Sequence, residues 1–336
     1  VYIPKSNGKL RPLGIACYED KMVQLALKKI LEAIYEPRFL NCMYGFRPNR
    51  GCHDAIKELY KRLNNTKICY IVDADIKGFF DHMKHEWIIK FLYLYIKDPN
   101  IIGLVKKYLK VGVLDGGKQM MNEEGSAQGN IISPILANIY MHNVLTLWYK
   151  FIITKECKGD NFLIVYADDF VAGFQYKWEA ENYYKLLKER MEKFGLQLEE
   201  SKSRLLQSGA YIARAKQKSG ESTRLETFDF LGFTFYCGRS RKGMPYIMPK
   251  TSSKKFRQKI RDIKVWLYAN RDQSLKKLMG MLNLKLVGHY RYYGISFNGR
   301  MISNYKQQVR ELLFKVLNRR SDRKSYTREG FIEMLK

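Results

Sequence analysis

Two adjacent carboxylates at a predicted hairpin tip, Asp168 and Asp169, constrain this chain more than any other feature. They stand in Tyr166-Ala167-Asp168-Asp169, between the apolar runs 162–165 and 170–172. An apolar run, a short turn and a second apolar run are typical of a β-hairpin, which places both aspartates at the tip, facing water. Neighbouring carboxylates repel each other, and a divalent cation relieves that repulsion.

A third carboxylate completes the pattern that such a cation site needs. Asp75 ends the β-rich segment Ile71-Val72-Asp73-Ala74-Asp75-Ile76. Three carboxylates at strand ends are the ligands that a two-metal phosphoryl-transfer site requires. Asp73 precedes Asp75 by two residues, so strand alternation places both on one face of the strand. Spacing alone does not decide whether Asp73 or Asp75 binds the cation. Asp81 is a further acidic residue nearby in the sequence.

Net charge divides the chain into two parts. The 336 residues carry 60 Lys and Arg against 33 Asp and Glu, a formal net charge of +27. Residues 236–336 hold 25 basic and 6 acidic residues, a net charge of +19. Residues 1–235 hold 35 basic and 27 acidic residues, a net charge of +8. A basic C-terminal third attached to a nearly balanced part indicates a polyanionic partner.

Nucleic acid is the favoured polyanion, because aromatic residues interleave with the basic ones at Tyr290, Arg291, Tyr292 and Tyr293. The commoner role of such tyrosines is nevertheless to pack between helices. No apolar run approaches the roughly 20 residues of a membrane span. The six cysteines form no CxxC pair and the five histidines no HxxxH, which disfavours zinc and fits a reducing cytosol. The start at Val1, without Met or a signal peptide, suggests a fragment of a longer chain.

Periodicity predicts an α+β part followed by an all-helical part. Predicted hairpins cover 1–15, 111–124 and 162–174, predicted strands 68–75, 203–208, 228–236 and 244–248, and predicted helices 20–36, 53–63, 84–96, 99–110, 134–150 and 178–194. After Pro249 only helices are predicted, over 252–269, 273–287 and 301–319. We therefore place a domain boundary between residues 249 and 250, and we expect an exposed loop over 214–226.

Seven short segments form one ordered set. They are residues 3–13 (IPKSNGKLRPL), 44–48 (YGFRP), 75–81 (DIKGFFD), 127–134 (AQGNIISP), 166–169 (YADD), 200–203 (ESKS) and 230–233 (FLGF). The set resembles the reverse transcriptases of the bacterial group II intron type, the intron-encoded maturases, over essentially the whole chain. This resemblance implies a right-hand polymerase with α+β fingers and palm over 1–249 and a basic helical thumb, or maturase domain X, over 250–336.

The resemblance selects Asp75, Asp168 and Asp169 as the metal triad, with the backbone carbonyl of Ile76 completing one shell. Two Mg²⁺ ions, for which Mn²⁺ can substitute, would lie about 4 Å apart, activate the primer 3′-hydroxyl and stabilise the leaving pyrophosphate. Lys202 resembles the lysine that acts as a general acid toward pyrophosphate. The alternative for Lys202 is an ordinary exposed lysine.

Five residues are expected to bind the nucleotide. Lys5 and Arg11 flank the first hairpin and would clamp the triphosphate, unless that hairpin is simply charged and solvated. Phe80 resembles the steric gate, a ring that leaves no room for a ribose 2′-hydroxyl, and its alternative is a core aromatic. Gln128 would hydrogen-bond the nucleotide, and Gly129 lets the backbone approach closely.

Phe230, Leu231, Gly232 and Phe233 resemble the primer grip, although the same apolar residues also suit a buried hairpin. Basic faces of the thumb helices would follow the backbone of an RNA–DNA duplex by charge, through Lys254, Lys255, Arg257, Arg261 and Lys264. The chain departs from the family at Asn130, where a second glycine is common, and at Val165, where many relatives carry arginine. Segments similar to the family's N-terminal extension and HNH-type nuclease are not found, so template binding by the one and target cleavage by the other are not expected.

The resemblance implies RNA-directed DNA polymerisation that supports intron retrohoming and RNA splicing in the bacterial cytoplasm. The expected partners are a group II intron RNA template, a DNA primer in an RNA–DNA duplex and dNTPs, with no membrane; homodimerisation is left open. A second hypothesis is a splicing maturase whose polymerase activity is secondary or lost, which the intact carboxylates disfavour. A third is a reverse transcriptase recruited to CRISPR adaptation or phage defence. An RNA-dependent RNA polymerase is a weaker alternative, because Phe80 and the YADD segment argue against it.

Overall fold

A computed structural model describes residues 14–110, 124–125, 129–320 and 326–335, together with the backbone of short strands at 2–4, 10–12, 113–115 and 118–120. The chain forms two compact units, Val1–Glu226 and Thr227–Lys336. Each unit has its own apolar core. The domain boundary expected between residues 249 and 250 stays a prediction.

An antiparallel four-stranded sheet is the centre of the first unit. Its strands lie in the order β6 (Asn161–Tyr166), β7 (Asp169–Phe174), β3 (Tyr70–Ala74) and β8 (Arg204–Gln207). Two separate ribbons pair β1 (Tyr2–Pro4) with β2 (Leu10–Pro12) and β4 (Val113–Asp115) with β5 (Lys118–Met120). The hairpins predicted over 1–15, 111–124 and 162–174 are therefore confirmed in their described strands.

Helices pack against this sheet because β6 and β7 are buried along most of their length and β3 buries Ile71, Val72 and Ala74. They are α1 (Tyr18–Tyr35), α2 (Cys52–Asn65), α3 (Phe79–His82), α4 (His85–Tyr93), α5 (Pro99–Lys110), α6 (Ser133–Met141), α7 (Thr154–Glu156), α8 (Lys177–Lys193) and α9 (Ala210–Lys218). Two π-helical turns, His142–Thr146 and Tyr149–Ile153, lead from α6 towards α7. The helix predicted over 134–150 thus continues further than expected.

In its described residues, the second unit combines a three-stranded antiparallel sheet with four helices. Its strands are β9 (Phe228–Phe230), β10 (Phe233–Arg239) and β11 (Pro245–Thr251), with β10 in the middle. Its helices are α10 (Ser253–Ala269), α11 (Leu275–Tyr293), α12 (Gly299–Leu317) and α13 (Arg328–Met334). The α+β class of the first unit and the helical C-terminal part are as predicted.

The exposed loop predicted over 214–226 is wrong in its first part. Helix α9 extends to Lys218, because Gly209, at φ 148°, starts it and the small residues Ala210 and Ala213 are fully buried on one face. That face packs near α2. Polar residues from Arg214 onwards dominated the sequence pattern and hid this short buried face. Within the described ranges, no helix is both long and apolar enough to span a lipid bilayer.

Candidate active site

The strand register brings three of the predicted carboxylates to one end of the four-stranded sheet. In the β3–β7 pair Ala74 lies opposite Phe170, so one further step places Asp75 opposite Asp169. In the β6–β7 hairpin Tyr166 pairs with Asp169, which leaves Ala167 and Asp168 as the two-residue turn. Asp169 is exposed and Asp168 half-buried. Side chains on neighbouring antiparallel strands lie about 5 Å apart, so the register itself assembles the acidic site.

The YADD turn is held by backbone packed directly against it. Ala167 adopts a left-handed conformation at φ 58°, which is unfavourable for a residue with a side chain and is tolerated where the surroundings enforce it. A Cβ atom added to Gly45 would lie only 2.4 Å from the Ala167 nitrogen. The Gly45 carbonyl in turn accepts a 2.9 Å hydrogen bond from the buried side-chain amide of Asn138. The turn therefore rests on a segment that is anchored to α6.

Lys202 lies beside Asp75, and its role as a general acid stays a prediction. Its ammonium group is 2.5 Å from the Asp75 carboxylate, and this hydrogen bond raises the pKa of Lys202. The hydroxyl of Ser203 accepts a 3.3 Å hydrogen bond from the Asp75 backbone nitrogen. Ile76 follows in an antiparallel bridge with Leu198. The segment that precedes β8 thus fixes both the main chain and the carboxylate of Asp75.

The electrostatic state of Asp169 shows how crowded this end of the sheet is. Although one side of Asp169 is open to solvent, the surrounding protein withdraws hydration from its carboxyl group, and the carboxylates of Asp168, Asp75 and Asp73 repel its charge. Together these effects raise the pKa of Asp169 from 3.8 to about 7, with Lys202 acting weakly in the opposite direction. The acidic cluster carries more negative charge than its own lysine compensates.

This excess of negative charge fits a divalent cation, because hard carboxylate oxygens are the ligands that Mg²⁺ prefers. The side chains are not yet gathered around one point. Among the described residues, no group of three or more Asp, Glu, His or Cys side chains is arranged closely enough to hold a metal. The ion pair with Lys202 supplies a physical reason, since it directs the Asp75 carboxylate towards β8. The donor set fits, and its convergence requires Asp75 to turn.

Phe80 is placed between core and solvent by a neighbouring loop. Its half-buried ring lies 5.4 Å from the ring of Phe79 and 6.4 Å from that of Phe46. Gly125 packs against the main chain of Phe80, since a Cβ atom there would lie 2.7 Å from the Phe80 carbonyl oxygen. The Gly125 nitrogen donates to Met83 at 2.8 Å. The ring therefore has two aromatic neighbours and a closely packed main chain, while its role as a steric gate stays a prediction.

The other predicted nucleotide contacts are only partly described. Lys5, Gln128 and the side chain of Arg11 lie outside the described residues, so their roles stay predictions. Gly129, at φ 115°, approaches the chain so closely that a Cβ atom would lie 2.1 Å from the Gly14 carbonyl oxygen. Gly129 thus permits a close approach to Gly14, while its place in the nucleotide site stays a prediction.

Comparison with known proteins agrees with this geometry. Residues 3–235 match the profile of the reverse transcriptase (RNA-dependent DNA polymerase) family, which is more than half of the chain. The chain belongs to this family. Residues 253–331 of the same reverse transcriptase match the maturase-specific domain of group II introns.

Individual relatives resemble only part of the chain. The group II intron-encoded protein LtrA of Lactococcus lactis is 41% identical over 161 residues, which are 48% of this chain and 26% of that protein. Protein YkfC of Escherichia coli is 39% identical over 145 residues, which are 42% of this chain and 38% of that protein. An apo telomerase of Candida tropicalis is similar in structure, with a TM-score of 0.49, 14% identity and coverage of 94% and 56% of the two chains.

In the second unit of this reverse transcriptase, the FLGF segment forms a tight turn fixed to α11. Phe230 pairs with Phe233, and the intervening Leu231 and Gly232 both have positive φ, 48° and 80°, as a type I′ hairpin requires. The Tyr292 hydroxyl donates to the Leu231 carbonyl at 2.8 Å, and Phe233 stacks on Tyr292 at 5.8 Å. The interpretation as a buried hairpin is confirmed, and the primer-grip role stays a prediction.

The tyrosines of α11 pack against their own unit, as the sequence favoured. Tyr293 is buried and lies 5.3 Å from the ring of Phe233, and Tyr290 contacts the helical core. The five predicted basic residues of α10 are all exposed. Four of them, Lys254, Arg257, Arg261 and Lys264, recur every three or four residues and therefore share one face. Lys255 points elsewhere, since it lies near the Gly232 turn.

Three supporting residues were not recognised as such in the sequence. Gly45 and Gly125 permit the close contacts described above. Arg47 is buried and binds the Glu36 carboxylate through two of its nitrogens, at 2.9 Å and 2.7 Å, while it also donates to the carbonyls of Leu40 and Met43. The glycine and arginine of the segment 44–48 were visible as a motif. Their structural function depends on contacts with residues far away in the sequence, which no local pattern shows.

Proposed function

We propose that this chain is an RNA-directed DNA polymerase of the group II intron type, which extends a DNA primer with dNTPs on an RNA template. The observation that carries this proposal is the acidic end of the sheet, where Asp75 lies opposite Asp169 and beside the Asp168 turn. Membership of the reverse transcriptase family supports it. The aligned segments span less than two thirds of the relatives' length, so activity and partners are proposed for this chain.

In this mechanism Asp75, Asp168 and Asp169, with the Ile76 carbonyl, would hold two Mg²⁺ ions or their substitute Mn²⁺. When bound, the cations supply positive charge that favours ionisation of the primer hydroxyl and stabilises charge on the transferred phosphate. The carboxylates would position the cations, and Lys202 pairs with Asp75 until the cations bind. The raised pKa of Asp169 reflects the repulsion that cation binding would relieve.

Lys202 holds the proton that the departing pyrophosphate needs. Its contact with Asp75 keeps the ammonium group protonated, and its flexible side chain, 64% exposed, is free to turn towards a phosphate. Phe80 would lie under the sugar and exclude a ribose 2′-hydroxyl. Lys5, Arg11, Gln128 and Gly129 would complete the nucleotide site.

The second unit would hold the product duplex. Lys254, Arg257, Arg261 and Lys264 form an exposed basic face on α10, and such faces bind the phosphate backbone without reading sequence. We propose that Lys255 contributes near the FLGF turn. The match of residues 253–331 with the maturase-specific domain favours a second role, in which the same chain binds group II intron RNA and supports splicing and retrohoming.

Primer extension tests the polymerase proposal. Asp168→Ala and Asp169→Ala should each lower extension of a labelled DNA primer on an RNA template by more than about a hundredfold, which exceeds the usual effect of residues that only support metal ligands. Affinity for the RNA template should stay within a few-fold, because these carboxylates would bind metal. Asp160→Asn is the matched control, since Asp160 precedes the same hairpin at its other end and accepts a hydrogen bond from Lys67.

Full extension by either alanine variant would refute the metal assignment. A splicing assay with group II intron RNA separates the two roles. If Asp168→Ala still promotes splicing while primer extension is lost, the maturase role does not depend on the polymerase site. If the wild-type chain promotes splicing and never extends a primer, the chain is a splicing maturase alone.

A further inference from the structure

Two acid–base pairs lie side by side on strands β3 and β8. The β3–β8 register places Asp73 opposite Arg204, and the Arg204 Nε atom lies 3.8 Å from the Asp73 carboxylate. Two steps further, the same register places Asp75 opposite Lys202, where the contact is 2.5 Å. Because side chains alternate along a strand, both pairs are on one face of the sheet. We call these four residues the charge ladder.

The two acid–base pairs of the charge ladder have different neighbours on strand β7. Asp75 has the carboxylate of Asp169 as its neighbour, whereas Asp73 lies opposite Val171, which is completely buried. A divalent cation binds several oxygen ligands. A cation beside Asp75 therefore finds a second carboxylate, whereas a cation beside Asp73 would find an apolar side chain.

The two pairs also differ in their basic side chains, which are Lys202 and Arg204. Lysine is a flexible point charge that releases its partner readily, whereas the guanidinium group of arginine is planar, permanently charged and suited to lasting carboxylate contact. Lys202 is therefore a counter-ion that a metal can replace, whereas Arg204, at 3.8 Å from Asp73, keeps its charge beside that carboxylate permanently. Ser203, between them and buried, accepts a hydrogen bond from the Asp75 backbone nitrogen, which keeps the two strands in register where the regular pairing ends.

We propose that Arg204 is a positioning residue that keeps Asp73 out of the cation site, so that the sheet presents Asp75 and not Asp73 to the metal. This inference rests on the proposed function, since it concerns the same acidic site. It also decides the question that strand alternation leaves open, namely why only one of two aspartates on the same face becomes a ligand. Both aspartates have the right chemistry, and their opposite partners on β8 separate their roles.

Binding of Mn²⁺ alone to the full chain tests this proposal, followed by electron paramagnetic resonance of the free ion. Asp75→Asn should weaken binding by more than about tenfold, as loss of a ligand does. Asp73→Asn should leave the affinity within about twofold. Arg204→Gln should tighten binding about fivefold, the ratio expected when a partly exposed ion pair is lost and its carboxylate is released. Arg62→Gln, which removes a guanidinium group from the pair with Glu58 on α2, is the matched control.

The double variant Asp73→Asn with Arg204→Gln distinguishes release of Asp73 from a simple loss of positive charge. It should return to the wild-type affinity, because the released carboxylate is gone. Tight binding that persists in the double variant would overturn the proposal, and so would equal weakening by Asp73→Asn and Asp75→Asn. If Asp75→Asn leaves Mn²⁺ binding unchanged, the metal assignment of the proposed function fails, and the inference fails with it. If variants at Arg204 do not fold, the Mn²⁺ affinity of Asp73→Asn, compared with that of Asp75→Asn, tests the proposal.

Discussion

In the first unit, acidic and basic side chains lie opposite each other on neighbouring strands, whereas in the second unit basic side chains cover an exposed helix face. Residues 227–336 carry 25 Lys and Arg against 7 Asp and Glu. In the first unit, Asp75 faces both a carboxylate and an ammonium group at positions fixed by strand register. Contact with a phosphate backbone requires a density of charge, while phosphoryl transfer requires charges at defined positions. Under the proposed function, the two units would meet these two requirements separately.

A glycine beside the acidic site and two glycines on α11 differ in their packing, and mutation can test this difference. In the first unit, a Cβ atom at Gly45 would collide with the backbone of Ala167, while Cβ atoms at Gly280 and Gly288 of α11 would meet nothing within 4 Å. The backbone around the acidic site is therefore closely packed against its neighbours. The solvent-facing side of α11 leaves room for substitution.

The largest effect is expected from Gly45→Ala. The added methyl group must displace the YADD turn, so primer extension should fall by about a hundredfold, the loss that a misplacement of about 1 Å can cause. The free energy of unfolding should fall by about 1–3 kcal/mol because of overpacking. Primer extension and thermal unfolding measure the two effects.

Gly280→Ala and Gly288→Ala are the matched controls in the second unit. Alanine is the better helix former by up to about 1 kcal/mol, so each control should be neutral or slightly stabilising. Normal activity in Gly45→Ala would show that the YADD turn does not depend on this contact.

Phe80→Ala should have the next largest effect, on the choice of sugar. Without the ring, space opens for the ribose 2′-hydroxyl, and the preference for dNTP over rNTP should fall by about ten- to two-hundredfold, the range of small steric differences in a pocket. Competing incorporation of the two nucleotides on one template measures the ratio, with dNTP incorporation as the internal control. An unchanged ratio would identify Phe80 as a core aromatic.

The sequence was sufficient for the elements that local patterns determine. The β6–β7 hairpin, the position of Asp75 at a strand end and the helices after Pro249 all follow from periodicity and turn residues. The π-helical turns after α6 and helix α9 did not follow, because both depend on burial against other elements. The support of the YADD turn by Gly45 and the pairing of Asp73 with Arg204 were equally hidden, since both depend on contacts between distant segments. The resemblance selected Asp75 over Asp73, and only the strand register suggests a physical reason.

Charge reversal on α10 should lower the affinity for an RNA–DNA duplex moderately, and to the same extent for every nucleotide sequence. Lys254→Glu with Arg261→Glu should weaken binding of an RNA–DNA duplex and lower the slope of log K against log salt by roughly two, since each neutralised phosphate contributes about 0.9. Base selection should not change, because phosphate contacts position the duplex and do not specify sequence. Binding measured over a range of salt concentrations gives the slope.

The control for this pair comes from the first unit. Lys177→Glu with Lys185→Glu reverses two exposed lysines of α8 and should leave the salt slope nearly unchanged. Equal slopes for the two double variants would show that the basic face of α10 does not engage the duplex.

The smallest effect is expected from the pH dependence of stability, and it tests the crowding of carboxylates in the first unit. The pKa of Asp169 is raised in the folded chain to about 7 from 3.8, so between about pH 4 and pH 7 the folded state binds a proton that the unfolded state has released. Stability must therefore fall as pH rises through this window, and the loss is complete above pH 7.

In the presence of a chelator, the wild type should lose more thermal stability between pH 5 and pH 8 than Asp169→Asn. Because Asp169 is exposed, solvent screens its charge, so the difference in Tm should be about 2–4 °C, the shift that ~1 kcal/mol produces in a unit of this size. Mg²⁺ should remove the difference, because a bound cation compensates the ionised carboxylate. The same loss in the wild type and in Asp169→Asn would show that the repulsion around Asp169 is weaker than the packing of Asp73, Asp75 and Asp168 indicates.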